Sequence, residues 1–302
     1  MSTSTTDLAL YGTPLGDQAL HALVVHRMLT TEQLHRLLSP DRTPQTTRMR
    51  LMTLRVDGLV DGLTLHAART GRRIPSKVWF ATAAGVERVL SDPDQHRSYV
   101  VRAPKTHRNL IAHTLAVNEV GLAFVAHARR KGHEFDAMGW EHEVAHSLGG
   151  GRAGNNGPGL ISDAVISYGI THATGVRLHR RFLELDRGTE PDHVLFDKIR
   201  RYARYRTYGP TVGAGDPYWM ARYPSFPTLS IVIGANPDRS DAQLTRRMHT
   251  ICALAMKDPL LQRTGLQVQV CRLEMLLEAG AGGPVWWMPG HGHPVTFTGE
   301  PQ

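Results

Sequence analysis

Three acids stand in apolar surroundings where each needs a partner. Asp163 lies inside Leu160-Ile-Ser-Asp-Ala-Val-Ile, and Glu184 and Asp186 lie two apart in Arg181-Phe-Leu-Glu-Leu-Asp. Both stretches read as strands, and alternate strand positions share a face. A carboxylate in an apolar strand is costly unless it is paired. Acids converging from adjacent strands can share a divalent cation, for which oxygen ligands match Mg²⁺ or Mn²⁺. Such an ion polarises a phosphodiester and helps to activate water or a hydroxyl. Asp163 and Glu184 are therefore the candidate metal ligands. The plainer alternative is an inert fold in which these acids only pair with Arg181 or Lys198.

A helix is expected from about Pro191 to Tyr208, capped by Thr189. It carries Lys198, Arg200, Arg201, Arg204 and Arg206, with no acid between Lys198 and Arg206. Beside a carboxylate site this run would track phosphates; otherwise it is a solvated face. Tyr202, Tyr205 and Tyr208 raise a tyrosine nucleophile, but their three-residue spacing reads first as packing. His142 and His146, four apart in a strand, share a face without closing a metal site. They are expected at the surface, as are His291 and His293 in a Gly/Pro-rich tail. Trp286-Trp287 in that tail would dock on the body or on a partner.

A second concentration of charge lies upstream. From Arg42 to Lys77 there are eight basic residues and two acids, within a chain of net charge +8. The elements carrying them are readable. Asp17–Met28 has helical apolar spacing. Thr30 with Gln33 makes a capping-box start for Thr31–Leu38. Thr43 and Pro44 open a third helix ending at Gly58. Leu59–Leu63 and Ser76–Ala81 then read as two strands around a basic tip. Three helices and a basic hairpin give the order of a winged helix-turn-helix. Thr47, Leu51 and Leu54 form one apolar stripe of the third helix and Met49, Met52 and Val56 another. With the first as core, since Leu51 and Leu54 lead into Leu59, Gln45, Arg48 and Met52 lie near the major groove and Arg50 and Arg55 flank it. Arg69, Arg72, Arg73 and Lys77 then meet backbone phosphates. The alternatives are a bundle with a charged face, or a wing that binds protein.

Downstream, Arg108–Lys131 reads as a long helix and Trp140–Leu148, Leu160–Tyr168 and Val176–Asp186 as strands. Six glycines fall between Gly149 and Gly159. Strand Phe226–Gly234, helix Asp241–Met256 and strand Leu266–Cys271 complete an α+β pattern with a mixed sheet. The expected organisation is a DNA-binding domain at 15–98, an α/β domain at 105–275 and a tail at 279–302. The N-terminus has no signal-peptide character, and no uninterrupted apolar run reaches membrane length. Cys252 and Cys271 suit two thiols in a reducing cytosol rather than a disulfide or zinc site. A cytoplasmic location without membrane contact is expected.

Asp on one strand, Glu-x-acid on the next and a following helix resemble the PD-(D/E)XK, restriction-endonuclease-like fold. The run Phe182-Leu-Glu-Leu-Asp-Arg-Gly-Thr189, with Lys198-Ile-x-x-Tyr202-x-x-Tyr205, resembles the replication-relaxation family of plasmids and mobile elements. The resemblance spans about Asp17 to Met256. It implies double-stranded DNA at a plasmid or mobile-element origin as partner, other replication or transfer proteins beside it, and relaxase-like nicking with Mg²⁺ or Mn²⁺. Carried onto this chain, it makes Asp163, Glu184, Asp186 and Lys198 the catalytic set, with Arg200, Arg201 and Arg204 on DNA. Asp186 stands where the nuclease pattern has lysine, so Lys198 is the candidate substitute. Ser162 stands where the pattern has proline. The alternative function is a non-catalytic replication or transcription regulator on a degenerate nuclease fold.

Overall fold

The computed structural model describes residues 14–69, 72–91, 108–146, 159–173, 175–209 and 215–299, without the side chains of 66–69, 72–75, 108 and 109. The chain divides into two compact units, Met1–Val125 with Asp136–Met138, and Ala126–Phe135 with Gly139–Gln302.

The first unit runs α1 (Leu15–His26), β1 (Leu29–Thr30), α2 (Thr31–Leu38), α3 (Pro44–Val56), β2 (Val60–Arg69), β3 (Arg72–Ala81) and α4 (Ala83–Leu90). The capping box is present: Gln33 N donates to Thr30 Oγ1 at 3.0 Å, and Thr30 N donates to Gln33 Oε1 at 3.0 Å. Two amides otherwise orphaned at a helix start are thereby satisfied. Gln33 does a second job, donating Nε2 to the Leu115 carbonyl at 2.9 Å and to Glu119 at 2.8 Å. Pro44 opens α3 as expected, and Gly58 follows its end at φ +73. Thr47, Leu51 and Leu54 are the buried stripe, because this spacing keeps one line of the helix against α1 and α2.

The sheet order is β1-β3-β2, antiparallel throughout. The β2–β3 hairpin is longer than expected, since its pairing continues to Arg69↔Arg72. Gly85 lets α4 approach closely: a Cβ there would stand 2.0 Å from the Leu59 carbonyl oxygen.

The helix α5 (Arg108–Lys131) is shared between the two units. It is long and apolar enough to cross a membrane by length and composition, but 61% of its apolar window is buried in the protein. The second unit continues with β4 (Trp140–His146), β5 (Leu160–His172), β6 (Gly175–Asp186), α6 (Asp192–Thr207), a 3₁₀ turn (Tyr218–Ala221), β7 (Thr228–Ile233), α7 (Asp241–Lys257), α8 (Pro259–Thr264), β8 (Val268–Arg272) and α9 (Leu273–Ala279). The glycine-rich stretch expected between Gly149 and Gly159 lies outside the described residues, save Gly159.

These strands form one mixed sheet in chain order: β4, β5 and β6 are antiparallel, and β6, β7 and β8 are parallel. Side chains alternate across it. Phe182, Leu229, Ile231, Ile233, Val268 and Val270 join one core with Leu195, Ile199, Tyr202, Met248 and Leu261 of α6, α7 and α8. The α6 start differs from the expected one. Pro191 is its N-cap and no side chain caps it, so Thr189 lies outside the helix. At the far end, Trp286 is fully buried, and Val270↔Trp287 and Trp286↔Val295 are antiparallel bridges. The tryptophan pair thus docks on its own unit.

Candidate functional site

The site is built where β5 stops pairing with β6. Their ladder ends at Ala164↔Leu183. The next free amide, Leu185 N, donates instead to Asp163 Oδ2 at 2.8 Å. On the other edge of β5, pairing passes from His142↔Ala164 to Val144↔Ser162. The residue skipped on β4 is Glu143, at φ +46. Asp163 therefore sits at a break in both ladders, its carboxylate replacing a backbone acceptor. Glu184 needs no such break: it shares a face with Phe182, beneath α6.

α6 supplies the partners. Lys198 and Tyr202 are four apart and so lie on one side of the helix. Tyr202 Oη donates to Glu184 Oε1, and Lys198 Nζ bonds Glu184 Oε2. The same ammonium lies 3.6 Å from Asp163 Oδ1. Glu184 is 3% exposed and Tyr202 is fully buried, whereas Lys198 and Asp163 keep a solvent-facing side. Three elements thus bring together Asp163, Glu184 and Lys198, a set whose members lie up to 35 residues apart.

The electrostatics follow from burial. Desolvation, reinforced by the neighbouring Asp163 charge, pushes the Glu184 carboxyl up to about 8, against the pull of Lys198 and Tyr202. Burial works against the Lys198 ammonium, but Glu184 and Asp163 outweigh it and hold its pKa above the ordinary value. Burial, together with the Glu184 charge, lifts the Tyr202 phenol well above its usual range. Lys198 is thus the cation facing the acids. A deprotonated Tyr202 nucleophile is not what this environment favours.

Asp186 does not join the group. It shares the strand face of Glu184, but its carboxylate is held by the Arg247 guanidinium from α7, at 3.1 Å through Nη2 and closer through Nε. Gly188 N also donates to it, at 3.0 Å. Arg247 further bonds Asp192 at the start of α6. Asp186 therefore ties β6, α6 and α7 together. Arg181, the other cation weighed for the acids, turns to the opposite face. There it donates to Ser230 Oγ at 3.1 Å, to Gln269 Oε1 at 2.6 Å and to the Phe297 carbonyl. Burial without a carboxylate partner lowers its pKa to about 9.

The remaining expected residues divide. Arg200 pairs with Asp258 at 3.1 Å, Arg201 donates to the Gly159 carbonyl at 3.1 Å, and Arg204 is exposed. Two of that trio are engaged in the fold. In the first unit Gln45, Arg48, Arg50 and Arg55 are exposed on α3, with Arg55 3.4 Å from Asp61. Lys77 lies over the Trp79 ring at 4.8 Å. Arg69, Arg72 and Arg73 stand at the hairpin end, and their side chains lie outside the described residues. His146, expected at the surface, is buried against Phe182 and Tyr205, with Nε2 3.1 Å from Ser162 Oγ. Burial drops its pKa to about 4. Sequence reasoning missed Tyr202 as the Glu184 partner and Arg247 as the Asp186 partner; the i, i+4 spacing of Lys198 and Tyr202 was the one available signal.

Among the described residues no group of three or more His, Cys, Asp or Glu side chains converges on a metal position. Two carboxylates completed by water and phosphate oxygens are nevertheless the donor set that Mg²⁺ commonly takes. Asp163 and Glu184 carry oxygens of that kind, and in this structure both face Lys198.

A mixed five-stranded sheet with a carboxylate–lysine cluster, preceded by a small helical unit with a basic hairpin, is thus the class of protein in hand. A family model described as replication-relaxation matches residues 20–214, well over half of the chain, and the chain belongs to the replication-relaxation family. No curated protein matches. Among solved structures the chain is similar to restriction endonuclease FokI, at 12% identity and a TM-score of 0.31, over 87% of this chain. It spans 43% of the FokI chain.

Proposed function

We propose that this chain is a cytoplasmic duplex-DNA-binding protein of plasmid or mobile-element replication and mobilisation. In this reading residues 15–98 are a winged helix-turn-helix, residues 105–275 are a PD-(D/E)XK-type domain that nicks DNA with Mg²⁺ or Mn²⁺, and residues 279–302 are its tail. The observation that carries it is the convergence of Asp163, Glu184 and Lys198 from two strands and a helix. The winged helix is supported by the element order of the first unit, the β1-β3-β2 sheet and the arginines at the hairpin end.

Asp163 and Glu184 would hold the ion, which would polarise a phosphodiester and acidify a bound water. Tyr202 fixes the Glu184 carboxyl in place. With both acids on the ion, Lys198 would donate to a phosphate oxygen, the part a lysine plays beside developing negative charge. Arg204 stands on the same helix as a phosphate contact.

A second reading, a non-catalytic regulator, is favoured by one observation: the Lys198 ammonium already bonds Glu184 and lies 3.6 Å from Asp163, where the ion would sit. Calorimetric titration with Mn²⁺ separates the two. Binding heat that disappears in Asp163→Ala and Glu184→Ala supports the metal site. No heat, with salt-sensitive and chelator-indifferent DNA binding, leaves the regulator.

A further inference from the structure

The outward line of α3 is chemically unusual. With 3.6 residues per turn, Gln45, Met49, Met52 and Val56 fall within roughly 60° of one another, directly opposite the buried Thr47, Leu51 and Leu54. Met49 is 57% exposed, Met52 41% and Val56 84%. Three large apolar side chains in a row on one exposed helix face mark a contact surface. Arg48 and Arg55 stand on one flank of that row and Arg50 on the other, all exposed. Asp57 and Asp61 are the acids nearby, and Asp61 already faces Arg55 at 3.4 Å.

The geometry points to A·T base pairs in the duplex major groove as the ligand of this face; this deepens, and rests on, the DNA-binding reading above. In the major groove thymine presents a C5-methyl group, which apolar side chains contact. Adenine presents the N6/N7 pair that a glutamine amide reads. One amide followed by three apolar side chains matches a run of adenine and thymine edges, whereas guanine N7/O6 would call for an arginine on the central line. Arg48 is turned onto that amide, its Nη1 donating to Gln45 Oε1 at 3.1 Å, and Arg50 and Arg55 lie on the flanks, where phosphates border the groove. A second copy of the chain fits the apolar line poorly, because pairing two such faces would set the arginine rims against each other.

The test uses the full chain. Tight-binding duplexes are selected from a random pool, and each selected thymine is then replaced by uracil, which lacks only the methyl group. Selected sites should be rich in A·T pairs. Uracil should weaken binding about fourfold per contacted methyl, the equivalent of about 0.8 kcal/mol per buried carbon. The uracil effect should shrink in Met49→Ala and Met52→Ala, whose exposed positions leave folding intact. Equal affinity for thymine and uracil sites, with salt-dependent binding retained, overturns this inference and leaves the DNA-binding reading standing. No binding to any duplex removes both. A dimer in sedimentation that Met49→Ala dissociates would make the face a self-contact and overturn the inference as well.

Discussion

Replacing Lys198 by methionine removes a cation from a pocket where Glu184 is 3% exposed. The cost depends on pH, because Glu184 can answer by keeping its proton. Its folded pKa is raised from 4.5 to about 8. Between those values the folded chain holds a proton that the unfolded chain has released. This group's stabilisation is therefore complete below pH 4.5 and declines until about pH 8. At pH 6.5 the carboxyl is protonated with or without Lys198, so the variant loses a half-open ion pair with Asp163 and a hydrogen bond, about 1–2 kcal/mol. Above pH 8 the wild-type carboxyl ionises against Lys198, while the variant must keep its proton. The gap then widens by about 1.4 kcal/mol per pH unit, hence by about 2 kcal/mol at pH 9.5. Urea unfolding followed by tryptophan fluorescence in chelator, at pH 6.5, 8 and 9.5, measures it. In a Glu184→Gln background the effect of Lys198→Met should not change with pH. A gap as large at pH 6.5 as at 9.5, or one that still widens in the glutamine background, refutes this picture of the cluster.

Three further outcomes are expected. His146 has its folded pKa lowered from 6.5 to about 4, so its contribution is present above pH 6.5 and is lost as pH falls toward 4, up to about 3 kcal/mol; His146→Phe should flatten the acid limb of the stability profile in urea melts. Gly85→Ala places a Cβ against the Leu59 carbonyl and should cost about 1–3 kcal/mol in thermal unfolding, as overpacking does. Replacing Arg72 and Arg73 by alanine should weaken binding to all duplexes alike and reduce the slope of log affinity against log salt by about 2; an unchanged slope places DNA elsewhere.

Local chemistry made part of this molecule legible. Thr30 and Gln33 cap each other three residues apart, and Thr47, Leu51 and Leu54 repeat at helical spacing, so each signal is contained within the element it defines. The alternating apolar runs at Leu160 and Arg181 announced their strands for the same reason. β1 did not show, because two residues carry no period and exist as a strand only through pairing with Val78 and Trp79. Asp186 was grouped with Glu184 by strand parity, and the parity holds. Its partner, though, comes from Arg247, 61 residues on, through the approach of α7. His146 likewise looked exposed because the strand pattern gives a face but not the depth of what covers it. That Lys198 reaches both acids depends on how α6 crosses the sheet, a tertiary distance absent from the sequence.

Whether Asp163, Glu184 and Lys198 form one working site on DNA is decided by incubating supercoiled plasmid that carries a selected site with purified protein and Mg²⁺ or Mn²⁺. Open-circle product is expected from the wild type, and none above background from Asp163→Ala, Glu184→Ala or chelated samples. No open circle from the wild type, or as much from the alanine variants, would mean that these three residues do not cut DNA.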